Sequence, residues 1–306
     1  MTQRARDHLG RFGIWRNSGQ VTPELAAELE RLGFGTVWLG GSPSGQLTAP
    51  EQVLDATTTL IVATSIVNIW QDDAHVVAAS FARVEARHPG RFLLGVGAGH
   101  REATQQYARP YETLARYLDV LLGDGVPADS LVLAALGPKV LRLAAERTAG
   151  ANPYLVTPEH TRRARAILGA GPLLAPEHKA VLEADPRRAR EIGRPRVQNP
   201  YLGLVNYTSN LRRLGWSDED VSDGGSDALI DALVAHGSGE QVAAQLAEHL
   251  DAGADHVCVQ LLTAPDADVL DGYRKLAQGL NLFHPPTSGS EQAGHHDEDE
   301  EGSPAL

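Results

Sequence analysis

The chain has 306 residues, 42% of them hydrophobic and 22% charged, with a formal net charge of −12. That size and composition fill a complete core, either as two average domains or as one α/β barrel of about 250 residues. The acidic balance excludes the basic surface that nucleic acid requires, and a single cysteine excludes an intramolecular disulfide and any multi-thiolate metal site.

In chain order, short apolar runs alternate with helical stretches. Residues 11–15 (RFGIW) read as a first strand, and 22–35 as a helix with Thr22 as N-cap, Pro23 at its first position and Gly33 as terminator. A second strand at 36–40 (TVWLG) runs into a Gly/Ser/Pro-rich loop, then a helix near 50–59 and a β-rich third strand at 60–70. The apolar spacing over 74–88 predicts a helix, and 91–97 (RFLLGVG) a fourth strand. A helix at 111–122, a fifth strand at 130–136, a helix at 138–150, a sixth strand at 151–156 and a helix at 158–169 follow. The seventh strand is weak, near 179–184. A long helical region broken by SDEDVSDGGSD comes next, then a helix at 239–253, a buried strand at 255–262 and a last helix at 266–280.

Eight strands, each followed by a helix and continuously apolar, predict a parallel sheet covered by helices, and in this length a closed (β/α)8 TIM barrel. Residues 1–282 form that domain. The stretch 283–306 is polar and Pro/Gly/Ser-rich, and it holds six of the acidic residues without a Lys or Arg, which predicts a disordered acidic tail. No apolar run approaches a membrane span, and the start MTQRARDHLGRFG lacks the apolar core of a signal peptide. The expectation is a cytoplasmic protein with no membrane partner and a small-molecule substrate. Cys258, inside HVCVQLL, reads as a buried structural thiol.

Gly97-Ala98-Gly99 ends the fourth strand. A dinucleotide fingerprint needs G-x-G-x-x-G opening a helix, whereas G-V-G-A-G-H misplaces the third glycine and REATQQYARPY after it has little helical periodicity. The alternative is a barrel strand end, where Gly95, Gly97 and Gly99 let backbone approach a flat ligand at the C-terminal mouth. Trp15 and Trp70, at strand ends, are candidates to wall a planar cofactor, and Trp38 is core. Asp72, Asp73 and His75 fall at a helix start and read as capping rather than metal ligands; no metal site is predicted.

The run VEARHPGRFLLGVGAGH, preceded by IVATSIVNIWQDDAHVVAASFA, resembles the luciferase-like monooxygenase superfamily, and within it the actinobacterial oxidoreductases that use the deazaflavin coenzyme F420. GFGTVWLGGSP, LAALGPKVLRLAAERTAGANPYLVTPEHT and AGADHVCVQLL extend the resemblance over about residues 10–282. It implies a (β/α)8 barrel, hydride or oxygen chemistry on a deazaflavin or flavin, and a homodimer. At TSIVN it implies a bulge and a non-prolyl cis peptide, Ser65–Ile66, backing the ring. The implied cofactor-binding set is Trp15, Leu39, Gly40, Ser65, Ile66, Asn68, Gly97, Ala98, Gly99, His100, Ala135, Leu136 and Gly137. The last two match a backbone phosphate site, and Gly137-Pro138-Lys139 opens a helix whose free N–H groups suit an anion.

Two departures from the family pattern limit the substrate. Gly41 and Ser42 stand where well-studied deazaflavin relatives carry an acidic residue and a histidine, and His100 stands where a glutamate is common. His100 is the candidate catalytic residue, since an imidazole titrates near neutrality and can donate a proton. The alternatives to an F420-dependent hydride transfer are a two-component FMN monooxygenase using molecular oxygen and a ligand-binding barrel without turnover.

Overall fold

The computed structural model describes residues 9–100 and 109–282. The expected tail at 283–306 and the start of the chain lie outside the described residues.

Eleven strand segments build one all-parallel sheet: β1 (Phe12–Asn17), β2 (Thr36–Gly40), β3 (Ile61–Ser65), β4 (Val67–Asn68), β5 (Phe92–Gly97), β6 (Leu131–Leu133), β7 (Gly150–Ala151), β8 (Leu173–Leu174), β9 (Glu177–Val181), β10 (Val234–His236) and β11 (Val257–Leu261). The segments β3 and β4 are halves of one strand. Ala63 faces Leu93 of β5 but Val67 faces Val96, so the third strand carries one extra residue, a bulge, and the Ser65–Ile66 peptide within it is cis.

The segments β8 and β9 are likewise halves of the seventh strand, separated at Ala175-Pro176. The first half pairs with β7 and the second with β11, which pairs with β1. Around the break, Glu177 donates its N–H to the Pro153 carbonyl at 2.8 Å, and Cys258 donates to the Pro176 carbonyl at 2.8 Å. The sheet therefore closes on itself as an eight-strand barrel, with β10 attached outside the circle on β9.

Helices cover the barrel: α1 (Pro23–Arg31), α2 (Thr48–Asp55), α3 (Ala74–Arg87), α4 (Pro110–Gly123), α5 (Pro138–Arg147), α6 (Pro158–Leu168), α7 (Pro186–Gln198), α8 (Val205–Arg213), α9 (Asp218–Val221), α10 (Asp227–Leu233), α11 (Gly239–Asp251) and α12 (Val269–Gly279). Their starts follow the capping chemistry written in the sequence. Thr22 accepts from the Leu25 N–H ahead of Pro23, Asp73 from the His75 and Val76 N–H groups, and Ser238 with Gln241 closes a capping box. Asp73 thus caps α3. Among the described residues no group of His, Cys, Asp and Glu is arranged to hold a metal ion.

The main apolar core lies between barrel and helices, where Ile14, Val37, Leu39, Val62, Leu94 and Leu133 meet helix residues such as Leu29, Val77, Leu118 and Leu141. Trp38 and Cys258 belong to a smaller cluster, both fully buried. A third cluster, around Val197, Leu211, Leu229 and Leu233, holds together the excursion from 182 to 233.

Several boundaries move. The fifth and sixth strands are shorter than the expected 130–136 and 151–156: after one further backbone bond each, Ala134 N–H to the Val96 carbonyl at 3.1 Å and Asn152 N–H to the Leu133 carbonyl at 2.8 Å, the chain turns to line a cavity with Ala134 to Gly137 and with Asn152 and Tyr154. The seventh strand lies at 173–181 rather than 179–184. Segment β10, absent from the sequence expectation, continues directly from α10 with no turn residue between them. Among the described residues no helix is long and apolar enough to cross a membrane.

Candidate active site

A cavity of about 560 Å³ opens at the C-terminal ends of the strands, the face on which barrel enzymes carry their sites and within the usual size range for small-molecule pockets. Strand ends supply one part of its wall: Trp15 and Asn17 at the end of β1, Gly41 and Ser42 after β2, the bulge residues Ser65, Ile66 and Asn68, and Ala98 to His100 after β5. Ala134 to Gly137 after β6 and Asn152 and Tyr154 after β7 continue it, and Tyr201, Asn206 and Tyr207 arrive from the excursion.

Ten of the sequence-predicted residues meet here: Trp15, Ser65, Ile66, Asn68, Ala98, Gly99, His100, Ala135, Leu136 and Gly137. Leu39, Gly40 and Gly97 do not line the cavity. Leu39 is buried in the main core. A Cβ on Gly40 would stand 1.9 Å from the Trp15 ring, and one on Gly97 would stand 2.9 Å from the Ala134 Cβ. These two glycines let neighbouring strand ends pack behind the wall, as Gly95 does for the Thr64 carbonyl, rather than admitting a ligand. Gly99 is different. Its φ of +59° is a left-handed conformation in the wall itself, with Asn68 Nδ2 2.9 Å from where a Cβ would sit. Trp70 is also outside the wall, its indole N–H donated to the Ala98 carbonyl at 2.8 Å, so it fixes the loop from behind.

The polar groups of the wall are interlocked. Trp15 Nε1 donates to Ser65 Oγ at 2.9 Å, Ser65 Oγ to Asn152 Oδ1 at 2.7 Å, and Asn152 Nδ2 to the Ala175 carbonyl at 2.6 Å. Asn152 Nδ2 also lies 3.4 Å from Cys258 Sγ, and burial pushes that thiol's pKa up, so it stays protonated. On the next strand end, α5 begins at Pro138 with Gly137 as N-cap and no side-chain cap. Its first N–H groups therefore have no side-chain acceptor beside a cavity that Lys139 also lines. The Leu136 carbonyl just before it is held by His160 Nε2 at 3.0 Å.

An aromatic group that no local sequence signal announces completes the site. Tyr154 stacks at 5.2 Å from Trp15 and 5.1 Å from Tyr201, and Tyr207 lies 5.0 Å from Tyr201. The His100 ring lies 5.6 Å from Tyr207 and 6.2 Å from Tyr201. Desolvation pushes the phenols up, Tyr201 to about 12 and Tyr154 and Tyr207 well above the ordinary value, so all three are neutral hydroxyls at physiological pH. Only the chain topology brings 154, 201 and 207 together; no spacing rule links them.

Residues 8–123 match a family model described as luciferase-like monooxygenase. No curated protein matches the chain. Among solved structures, an F420-dependent secondary alcohol dehydrogenase in complex with an F420-acetone adduct superposes with a TM-score of 0.68 at 17% identity, covering 90% of this chain and 99% of the other. The coenzyme F420-dependent tetrahydromethanopterin reductase of Methanopyrus kandleri gives 0.63 at 16%, with 89% and 98% covered. The FMN-bound oxygenating constituent of 3,6-diketocamphane monooxygenase from Pseudomonas putida gives 0.58 at 15%, with 89% and 96% covered. Over residues 8–123 the chain thus matches the luciferase-like monooxygenase family, and its described body has the barrel fold shared by these F420-dependent and flavin enzymes.

Proposed function

We propose that the protein is a flavin- or deazaflavin-dependent oxidoreductase and that its cofactor is coenzyme F420, used for hydride transfer to or from an organic substrate. The observation that carries this reading is one cavity at the barrel mouth joining a ring-sized wall to a phosphate-suited helix start. The wall is built from Ser65, Ile66 and Gly99, and the helix start from Gly137, Pro138 and Lys139. The residues fit the group. Gly99 presents backbone without a Cβ, Ser65 and Ile66 line the same wall, and the α5 N–H groups and Lys139 suit a ribityl phosphate. When bound, such a ring supplies the hydride chemistry or, as reduced flavin, the activation of molecular oxygen.

The chain's own part is orientation, exclusion of water and proton handling. Trp15, Ser65 and Asn152 lock the back wall through hydrogen bonds, so ring position is set by side chains already immobilised. His100, on the cavity wall beside Tyr201 and Tyr207, is the group proposed to give or take a proton at its imidazole. The reading includes a cytoplasmic location and a symmetric homodimer.

Titration of the purified protein with F420 and with FMN, followed by absorbance and fluorescence, tests the proposal. Saturable F420 binding supports it. Binding of FMN alone supports the monooxygenase reading, which the fold shared with the FMN-bound 3,6-diketocamphane enzyme favours as the second choice. Binding of neither overturns both and leaves a barrel without redox turnover.

A further inference from the structure

Behind the aromatic wall, Glu177 and Lys179 occupy alternate positions of β9, so both point to one face of the strand. Both are fully buried, and Lys179 Nζ lies 3.0 Å from Glu177 Oε1. Burial drives Glu177 up and Lys179 down from their ordinary pKa values, each opposed by the charge of the other. Such a pair contributes little net stability, since desolvation offsets the attraction, and its presence points to what it holds. Glu177 Oε2 accepts the Leu155 N–H at 2.9 Å, and Lys179 Nζ donates to Tyr154 Oη at 3.0 Å. The buried pair therefore grips the loop and the hydroxyl of Tyr154, which lines the cavity.

Tyr154 Oη has two further neighbours, Gln260 Oε1 at 2.8 Å and Tyr201 Oη at 3.1 Å. A phenol has one proton and two lone pairs. Lys179 can only donate and Gln260 Oε1 can only accept, so the Tyr201 hydroxyl donates into the remaining lone pair. The oxygen of Tyr201, itself in the wall, is then left as an acceptor. If the Gln260 amide turns over to present Nε2–H to Tyr154 and both hydroxyls rotate, Tyr154 donates to Tyr201 and Tyr201 donates outward. One hydroxyl pair can thus accept from an alcohol or donate to a carbonyl, with the Lys179 charge strengthening the donor. Among the described residues lining the cavity there is no carboxylate and no Arg, and Lys139 stands at the α5 start. Among these described residues a charged substrate group beside the rings would find neither carboxylate nor guanidinium as counter-charge, at a large desolvation cost.

We propose that the Tyr154–Tyr201 hydroxyl pair, held by Lys179 and Glu177, is the polar anchor for an uncharged substrate bearing an alcohol or carbonyl oxygen. This rests on the oxidoreductase reading of the same cavity. The probes are benzyl alcohol, acetophenone, their oxygen-free isostere ethylbenzene, and benzoate, each titrated into wild type, Tyr154→Phe and Tyr201→Phe by ligand-observed NMR. F420 and FMN titrations of the same three proteins run in parallel, with circular dichroism as the fold check. Wild type should favour the two neutral oxygen-bearing probes over ethylbenzene and benzoate by about tenfold or more. Either Phe variant should lose the preference over ethylbenzene while cofactor affinity stays within about twofold, a pattern that a purely structural role would not give. Tyr201→Phe, at a less buried position, keeps the test decisive if Tyr154→Phe does not fold. A preference unchanged in a folded Tyr201→Phe variant, tighter binding of benzoate, or no binding of the oxygen-bearing probes would overturn the anchor. Cofactor binding in those cases would leave the oxidoreductase reading standing, and loss of cofactor binding in wild type would sink that reading alone.

Discussion

Trp15 donates its indole N–H to Ser65 Oγ at 2.9 Å, tying the end of the first barrel strand to the bulge of the third. Ser65→Ala leaves that N–H and Asn152 Oδ1 without this partner in a partly buried wall, a loss of about 1–3 kcal/mol. Urea denaturation should show the drop, and cofactor affinity should fall with it because the back wall loosens. Unchanged stability would mean that water replaces the hydroxyl without cost.

Gly99 and His100 separate binding from turnover. Gly99→Val forces a β-branched residue into φ +59° with Asn68 against its Cβ. Cofactor affinity should fall about tenfold or more, some 1.4 kcal/mol, with a native circular dichroism spectrum. His100→Ala should change binding less and lower turnover more if its imidazole carries the proton. Wild-type cofactor affinity in Gly99→Val would show that the ring does not approach this loop.

Gly40 makes room for Trp15. In Gly40→Ala the new methyl would overlap the indole, which must turn and release Ser65. Overpacking of this kind costs about 1–3 kcal/mol, and displacement of the ring should red-shift tryptophan emission. An unshifted spectrum at wild-type stability would contradict the packing.

Buried imidazoles set an acid limit. Desolvation holds His178 and His256 down at about 4 and His249 well below its ordinary value. His249 Nε2 lies 2.9 Å from His178 Nδ1, and His256 accepts from Trp38 Nε1 at 3.0 Å while its Nδ1 meets the Gly10 carbonyl at 2.8 Å. The unfolded chain takes up protons near pH 6.5 and the folded one only near 4, so this stability is complete above pH 6.5 and is lost as pH falls toward 4. His178 and His256 each contribute on the order of a few kcal/mol across that window, and His249 acts in the same direction. Chemical denaturation at pH 7, 6 and 5 should show the decline, and His256→Gln should flatten it; equal slopes in the two proteins would refute the assignment.

A symmetric dimer is expected through α2 and α3, where Val76 is 40% exposed. Light scattering across a concentration series checks this, and a monomer mass throughout would contradict it.

Much of the barrel could be read from the chain because its signals are local. Apolar runs mark β1, β2, β5 and β11, and Thr22 and Asp73 mark helix starts by capping chemistry that needs no tertiary partner. The strands misjudged are two whose sequence also serves the cavity, the seventh, and β10. The fifth and sixth are cut short where Ala134 to Gly137 and Asn152 to Tyr154 turn inward, and β10 follows α10 so closely that its apolar residues read as more helix. The glycines misled for a related reason. A Gly that admits a ligand and one that admits a neighbouring strand look alike in one dimension, and Gly40, Gly95 and Gly97 are of the second kind. Lys179 and Glu177 carried no warning either, since charge in a sequence reads as surface until a strand buries it.

The excursion from 182 to 233 packs in a cluster that is distinct from the main core and also takes in Leu155, Val181 and Leu262 of the barrel strand ends. It reaches the site through Tyr201, Asn206 and Tyr207, while the bulge, Gly99 and the α5 start all belong to the barrel. The two halves of the cavity are therefore built on different pieces of chain. Amide exchange should find the excursion opening at a lower free energy than the barrel strands, as a sub-global unit. Exchanging that segment for its counterpart in another barrel of this fold should then alter which molecules the cavity accepts while the half built on the barrel strands stays intact.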